Sequence, residues 1–219
     1  MRKDPLKGEA MKASPAFEAS ARQAAESLDR SSAGEHSLSG NEPNRFFLNL
    51  AGKQFEDLSD LSGMAHLGDG RSVVRWDYDH DGWPDLVSIN ANAPKLVWYR
   101  NQLGDLLTDR HFIALRFEGG NQTAATTPVL SSRDAYGVRI EIDFAGRTLI
   151  NETRCGEGFS AQHSRTLLMG LGTAQHVDGM TVIWPSGRSQ KVGGFSADRL
   201  VVVREAPAHG EEPWSVLNY

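Results

Sequence analysis

The sequence predicts an all-β chain: a partial propeller-like blade, then a β-sandwich or open barrel, with one short helix near the N-terminus. Three observations carry this. From Arg45 onward the apolar residues fall in short runs broken by turn signals such as Ala51-Gly52, Gly68-Asp69-Gly70 and Asp81-Gly82. Val138, Ile140 and Ile142 alternate with Arg139, Glu141 and Asp143, the period of a half-buried strand. Among 219 residues, 22 are Gly and 9 are Pro, a turn frequency that suits short strands better than a helical bundle.

The stretch 1–44 is polar and rich in small residues. Phe17, Ala21, Ala24 and Leu28 recur at helical spacing, with Ser14 and Pro15 as N-cap and first helical residue. A Ser-, Gly- and Glu-rich linker follows from Asp29 to Pro43. Met1-Arg2-Lys3 is basic like the start of an export signal, but Asp4, Pro5, Lys7 and Glu9 stand where its apolar segment would be. No run of about 20 apolar residues occurs, so no transmembrane helix is expected.

Residues 45–108 form the second unit. Its expected strands are Phe46 to Leu48, Phe55 to Leu58, Ser72 to Trp76, Leu86 to Ile89 and Leu96 to Tyr99. A faint repeat spans it: Phe47-Leu48-Asn49-Leu50-Ala51-Gly52 and Trp98-Tyr99-Arg100-Asn101-Gln102-Leu103-Gly104 each read as an aromatic run, Asn, then Gly. A period of about fifty residues suits a propeller blade, yet closure needs at least about four blades. One blade alone leaves apolar faces to be covered by the rest of the chain or by another polypeptide.

Residues 109–206 read as a second β unit, and 207–219 as a tail. Expected strands are His111 to Phe117, Tyr136 to Phe144, Arg147 to Cys155, Thr166 to Met169, Met180 to Trp184, Lys191-Val192 and Leu200 to Val203. Phe144-Ala145-Gly146-Arg147 marks a tight hairpin, and Gly119 to Ser132 a flexible loop.

Asp77-Tyr78-Asp79-His80-Asp81-Gly82-Trp83-Pro84-Asp85 holds the clearest chemistry. Asp77, Asp79, Asp81 and Asp85 occupy positions one, three, five and nine of a loop, and Gly82 sits at six. Alternate positions in a tight loop point to one centre, and Gly82 can take φ > 0 so that the Trp83 carbonyl faces inward as well. Carboxylates near 4 Å repel by roughly 1 to 4 kcal/mol per pair. A hard divalent cation relieves this, and a flexible all-oxygen cage suits Ca²⁺ better than Mg²⁺. An EF-hand would need Glu at position twelve; Ser88 stands there, and the flanks are strand-like. The expected site is therefore a calcium clip between two strands, made by Asp77, Asp79, Asp81, the Trp83 carbonyl and Asp85.

The loop, with Asn49, Gly52, Phe55 and Asp57 upstream, resembles the FG-GAP/VCBS repeat of integrin-type propellers. The second half resembles the ASPIC/UnbV domain of cartilage acidic protein-like chains. The residues carrying that likeness are Gly137-Val138-Arg139-Ile140, Gly156-Glu157-Gly158-Phe159-Ser160, Gln162, Gly170-Leu171-Gly172, Val177-Asp178 and Trp184-Pro185-Ser186-Gly187-Arg188. The resemblance implies an extracellular or periplasmic setting and a calcium-bound repeat.

Other signals are weaker. Ser160, His163 and Asp178 are the residue types of a nucleophilic triad, but Gly158-Phe159-Ser160-Ala161-Gln162 lacks the closing Gly of a nucleophile elbow. Cys155 is the single cysteine, which leaves no intrachain disulfide and no multi-cysteine zinc site. Asn121-Gln122-Thr123 and Asn151-Glu152-Thr153 are glycosylation sequons. A net charge of -5 gives no basic excess for phosphate binding, which disfavours nucleic acid. The reading is a non-enzymatic, calcium-stabilised module with no catalytic residues. Its partner is a protein or glycan surface or another subunit, and oligomerisation is open to it. The alternative is a hydrolytic enzyme, or an accessory subunit of one, with a site near Ser160, His163 and Asp178.

Overall fold

The computed structural model describes residues 42–219. The helix expected at Pro15 to Leu28 lies outside the described residues. What is described is nearly all β, in several sheets, none of them closed into a barrel.

The first unit has two pieces. Strands β1 (Phe47–Leu50) and β2 (Gln54–Asp57) form an isolated hairpin, turned at Ala51 and Gly52, both at positive φ. Strands β3 (Gly70–Trp76), β4 (Asp85–Asn90) and β5 (Leu96–Tyr99) form a three-stranded antiparallel meander. The aspartate loop is the β3–β4 connection. A single helical turn, α1 (Leu103–Leu106), leads out of the unit.

Each Asn of the two similar segments accepts a backbone hydrogen bond from the residues that follow it. Asn49 accepts a hydrogen bond from the Gly52 N–H at 2.7 Å, and Asn101 accepts one from the Leu103 N–H at 3.0 Å. The first bond reaches the Gly of its segment, three residues on, and the second reaches Leu103 at the start of α1, two residues on.

The second unit is a two-layer sandwich. One sheet has the order β12 (Ser189–Val192), β11 (Gly179–Ile183), β7 (Arg139–Phe144), β8 (Arg147–Glu152), all antiparallel. The other has the order β15 (Trp214–Asn218), β14 (Arg199–Arg204), β6 (His111–Glu118), β9 (Leu167–Gly172), with β14 and β6 parallel. The short pair β10 (His176–Val177) and β13 (Phe195–Ser196) completes it. The β7–β8 turn has φ of 48° at Ala145 and 71° at Gly146, the left-handed pair that a two-residue hairpin favours.

Alternation puts Ile113, Leu115 and Phe117 of β6 against Ile140 and Ile142 of β7 in one buried cluster, with Val182, Val201, Val203 and Trp184. That cluster is confined to residues 113–203. Residues 42–107 contribute no buried apolar side chain; their buried side chains are Ser59, Asp69, Asp77, Asp85, Ser88 and Asn90.

Residues 119–132 form a loop outside the named strands, held by Glu205 and Asn121. The buried Glu205 carboxylate accepts from the N–H groups of Gly120 and Ser131 at 2.8 and 2.7 Å, and from the Ser131 and Ser186 hydroxyls. Asn121 donates to the carbonyls of Thr127 and Leu130, which also engages the side chain of the first sequon. The structure differs from the expected tail over 207–219: Trp214–Asn218 adds to the sandwich as strand β15, paired with β14.

Candidate functional site

The aspartate loop sits where the two units meet. Strand β3 delivers Asp77 and strand β4 begins at Asp85, so both carboxylates are fixed by the sheet register that pairs Trp76 with Asp85. They are 3% and 1% exposed. Asp77 accepts hydrogen bonds from the N–H groups of Asp81 at 3.2 Å and Gly82 at 2.9 Å. Asp85 accepts from the Tyr78 N–H at 3.1 Å and the Asn101 N–H at 2.7 Å. Gly82 has φ of 85°, so the expected left-handed turn at position six is present.

Asp77, Asp79 and Asp85 each offer a carboxylate oxygen, and the three lie within 4.8 Å of one another. Asp81 is outside this group; its Oδ1 turns back to accept from the Trp83 N–H at 2.7 Å. Burial and the neighbouring carboxylates of Asp79, Asp77 and Asp85 raise the Asp81 carboxyl above its ordinary range, against the Trp83 N–H that lowers it. Arg100 partly neutralises the cluster, donating from Nε at 3.0 Å and a terminal nitrogen at 2.7 Å to one Asp79 oxygen. The Trp83 ring is half-buried, lying against Gly104 of α1.

Two aromatic residues dock the loop on the sandwich. Tyr219 stacks on His80 with ring centroids 5.0 Å apart and meets Phe112 of β6 edge-on at 5.2 Å. Burial and the facing Asp77 carboxylate together push its phenol pKa up. Arg100, Asn101 and Tyr219 all shape the site, and none was singled out as a ligand or partner of it from sequence. Asn101 alone carried a signal, as the Asn of the repeat. Tyr219 carried none, because nothing local to it points to a loop so distant in the chain.

The three residues of the hydrolase alternative are not joined. His163 Nδ1 accepts from the Arg75 N–H at 3.2 Å, and Nε2 faces Glu157 at 3.3 Å. The Ser164 N–H donates to the Arg75 carbonyl at 3.2 Å, so this segment caps the outer edge of β3. Among the described residues no hydrogen bond links Ser160, His163 and Asp178. A cleft of about 260 Å³ lies beside His163, lined by Arg75, Asp134, Glu152, Arg154, Glu157 and Arg165 among others, without Ser160 or Asp178. Most of its charges pair with each other: Arg154 with Glu152 and Glu157, and Arg165 with Asp134. Cys155 is exposed.

A two-layer sandwich joined to a small sheet through an acidic loop is the class of architecture these elements define. Within it, residues 128–210 match the family model described as ASPIC and UnbV, and so carry an ASPIC/UnbV domain. The sandwich extends past that match on both sides, since β6 and β15 lie outside it. No curated protein matches the chain.

Proposed function

We propose that this chain is a non-enzymatic binding or assembly module, stabilised by Ca²⁺, that recognises a protein or glycan surface. The observation that carries the binding role is the inverted first unit. It buries polar side chains, while Phe47, Phe55, Trp76, Tyr78, Leu96 and Trp98 are exposed. Such a surface is what a partner would cover.

The metal role is supported by the donor set. Three carboxylates with oxygens within 4.8 Å, two of them almost wholly buried, fit a hard cation with oxygen ligands. Asp77, Asp79 and Asp85 would supply the carboxylates. The Trp83 carbonyl, which accepts no hydrogen bond among the described residues, would add a neutral oxygen, and Asp81 would need to turn inward. Residues 45–108 are read with this as an FG-GAP/VCBS-type repeat, on the acidic loop between two strands. Bound Ca²⁺ supplies positive charge that offsets the clustered carboxylates; the backbone N–H groups and Arg100 hold those carboxylates in place without it.

Titration calorimetry of chelator-treated protein tests the metal role. Heat on adding millimolar Ca²⁺, lost in Asp77→Asn, is the expected result. No heat would overturn it. Binding of a hydrophobic dye, lost when the partner is added, tests the recognition role.

A further inference from the structure

Sheet register places most of the exposed apolar residues of β3–β5 on one face, with Val73 alone on the other. Val74, Val87 and Trp98 lie directly across from one another, as do Ser72, Ile89 and Leu96. Directly opposed residues share a face. Trp76 joins that face, and the Tyr78 ring packs edge-on against Trp76 at 5.5 Å and Trp98 at 4.8 Å. Trp76 and Trp98 are each 45% exposed, Tyr78 52% and Leu96 57%. The opposite face is closed at one end: the Gly68 backbone lies against Asn90, and Asn44 lies beside Gly70. Ser88 and Asn90 are buried there.

We propose that the open aromatic face is the contact between two copies of this chain, packed sheet on sheet about a two-fold axis. This rests on the assembly role proposed above and names its partner. Area argues for it first. Trp76, Tyr78, Trp98, Ile89 and Leu96 together expose roughly 500 Å², taking about half of the ~200 Å² that a large side chain carries. With half-buried Val74 and Val87 and a polar rim, that approaches the ~800 Å² per partner of a stable interface. The chain's own N-terminal stretch is a poorer match. Residues 15–28 offer only Phe17 and Leu28 as large apolar side chains, too few to cover that face.

Shape makes the face self-complementary. The aromatic trio stands at the loop end of the sheet, and Ile89 and Leu96 stand at the other end. A two-fold axis across the strands lays each aromatic trio over the partner's aliphatic end. Two sheets packed this way sit about 10 Å apart, a distance that interdigitated side chains of this size fill.

Light scattering of the full chain at tens of micromolar tests this. The expected mass is about twice that of one chain, falling to one chain in Trp98→Glu and in Leu96→Lys. Both side chains are exposed, so circular dichroism should show each variant folded. A dimer that persists in both variants places the contact elsewhere and overturns the proposal. A monomer that binds a hydrophobic dye also overturns it, but leaves the face to a different protein. A monomer that binds no dye overturns both this inference and the recognition role.

Discussion

The Phe112 ring lies against Gly82 so closely that a methyl group at residue 82 would sit 2.1 Å from it. Gly82 is therefore required twice, by its φ of 85° inside the aspartate loop and by the sandwich strand packed over it. Gly82→Ala should destabilise by about 3 kcal/mol, combining left-handed strain with overpacking. Phe112→Ala opens the space, so the double variant should lose less than the sum of the singles. Denaturant melts of the four proteins in one buffer check this; strict additivity would mean that the contact is absent.

Asp85 and Asp79 should separate the structural from the metal-dependent role of the loop. Asp85 is 1% exposed and accepts from two backbone N–H groups that have no other acceptor in sight. Asp85→Ala strands both, and should cost about 3 kcal/mol even in chelator. Asp79 faces the half-exposed Arg100, a pair that solvent screens. Asp79→Ala should leave the melting temperature in chelator within a degree or two and remove most of any shift on adding Ca²⁺. Thermal melts with and without Ca²⁺ distinguish the two; equal losses in chelator would refute the division.

Much of this architecture was legible in the residues. The alternation of Val138 to Ile142 and the Ala145-Gly146 turn fixed a hairpin of the sandwich, because period and turn chemistry are local. Gly82 and the Asp spacing likewise marked the loop. Two things were hidden. Strand β15 follows Pro213 and has Trp214, Val216 and Leu217 without strict alternation, since its pairing with β14 is what gives it order. The side-chain partners that tune the loop, Arg100 and Tyr219, lie just past the ends of β5 and β15, and sequence spacing carries no information on contacts made only by tertiary packing.

Glu205 gives a pH prediction. Burial alone would raise its carboxyl, but the hydrogen bonds from Ser186, Gly120 and Ser131 outweigh that and hold it below its ordinary value of 4.5. A carboxylate whose folded pKa is lowered contributes stability above its unfolded value, and loses it as pH falls through the folded value. Stability should therefore decline below about pH 4.5 with a slope that Glu205→Gln reduces. The variant should also be weaker at neutral pH, by about 3 kcal/mol, because an amide nitrogen would be set against donors. Urea melts between pH 3 and pH 7 check both; an unchanged acid slope would show that Glu205 is not the group responsible.

His163 is predicted to act as a tether and not as a base. Its Nδ1 takes the Arg75 N–H, so the proton sits on Nε2, which points to Glu157. Neither nitrogen is left for the Ser160 hydroxyl. His163→Ala should therefore release the edge of β3, costing about 1 to 2 kcal/mol for an unpaired N–H, and should speed hydrogen exchange at Arg75. Ser160→Ala should change stability by less than about 0.5 kcal/mol, since among the described residues no hydrogen bond depends on its hydroxyl. If the reading is right, neither substitution alters turnover of an activated ester, because there is none above buffer to alter. Ester turnover that disappears in both variants would instead require His163 to leave Arg75 and reach Ser160, and would restore the hydrolase alternative.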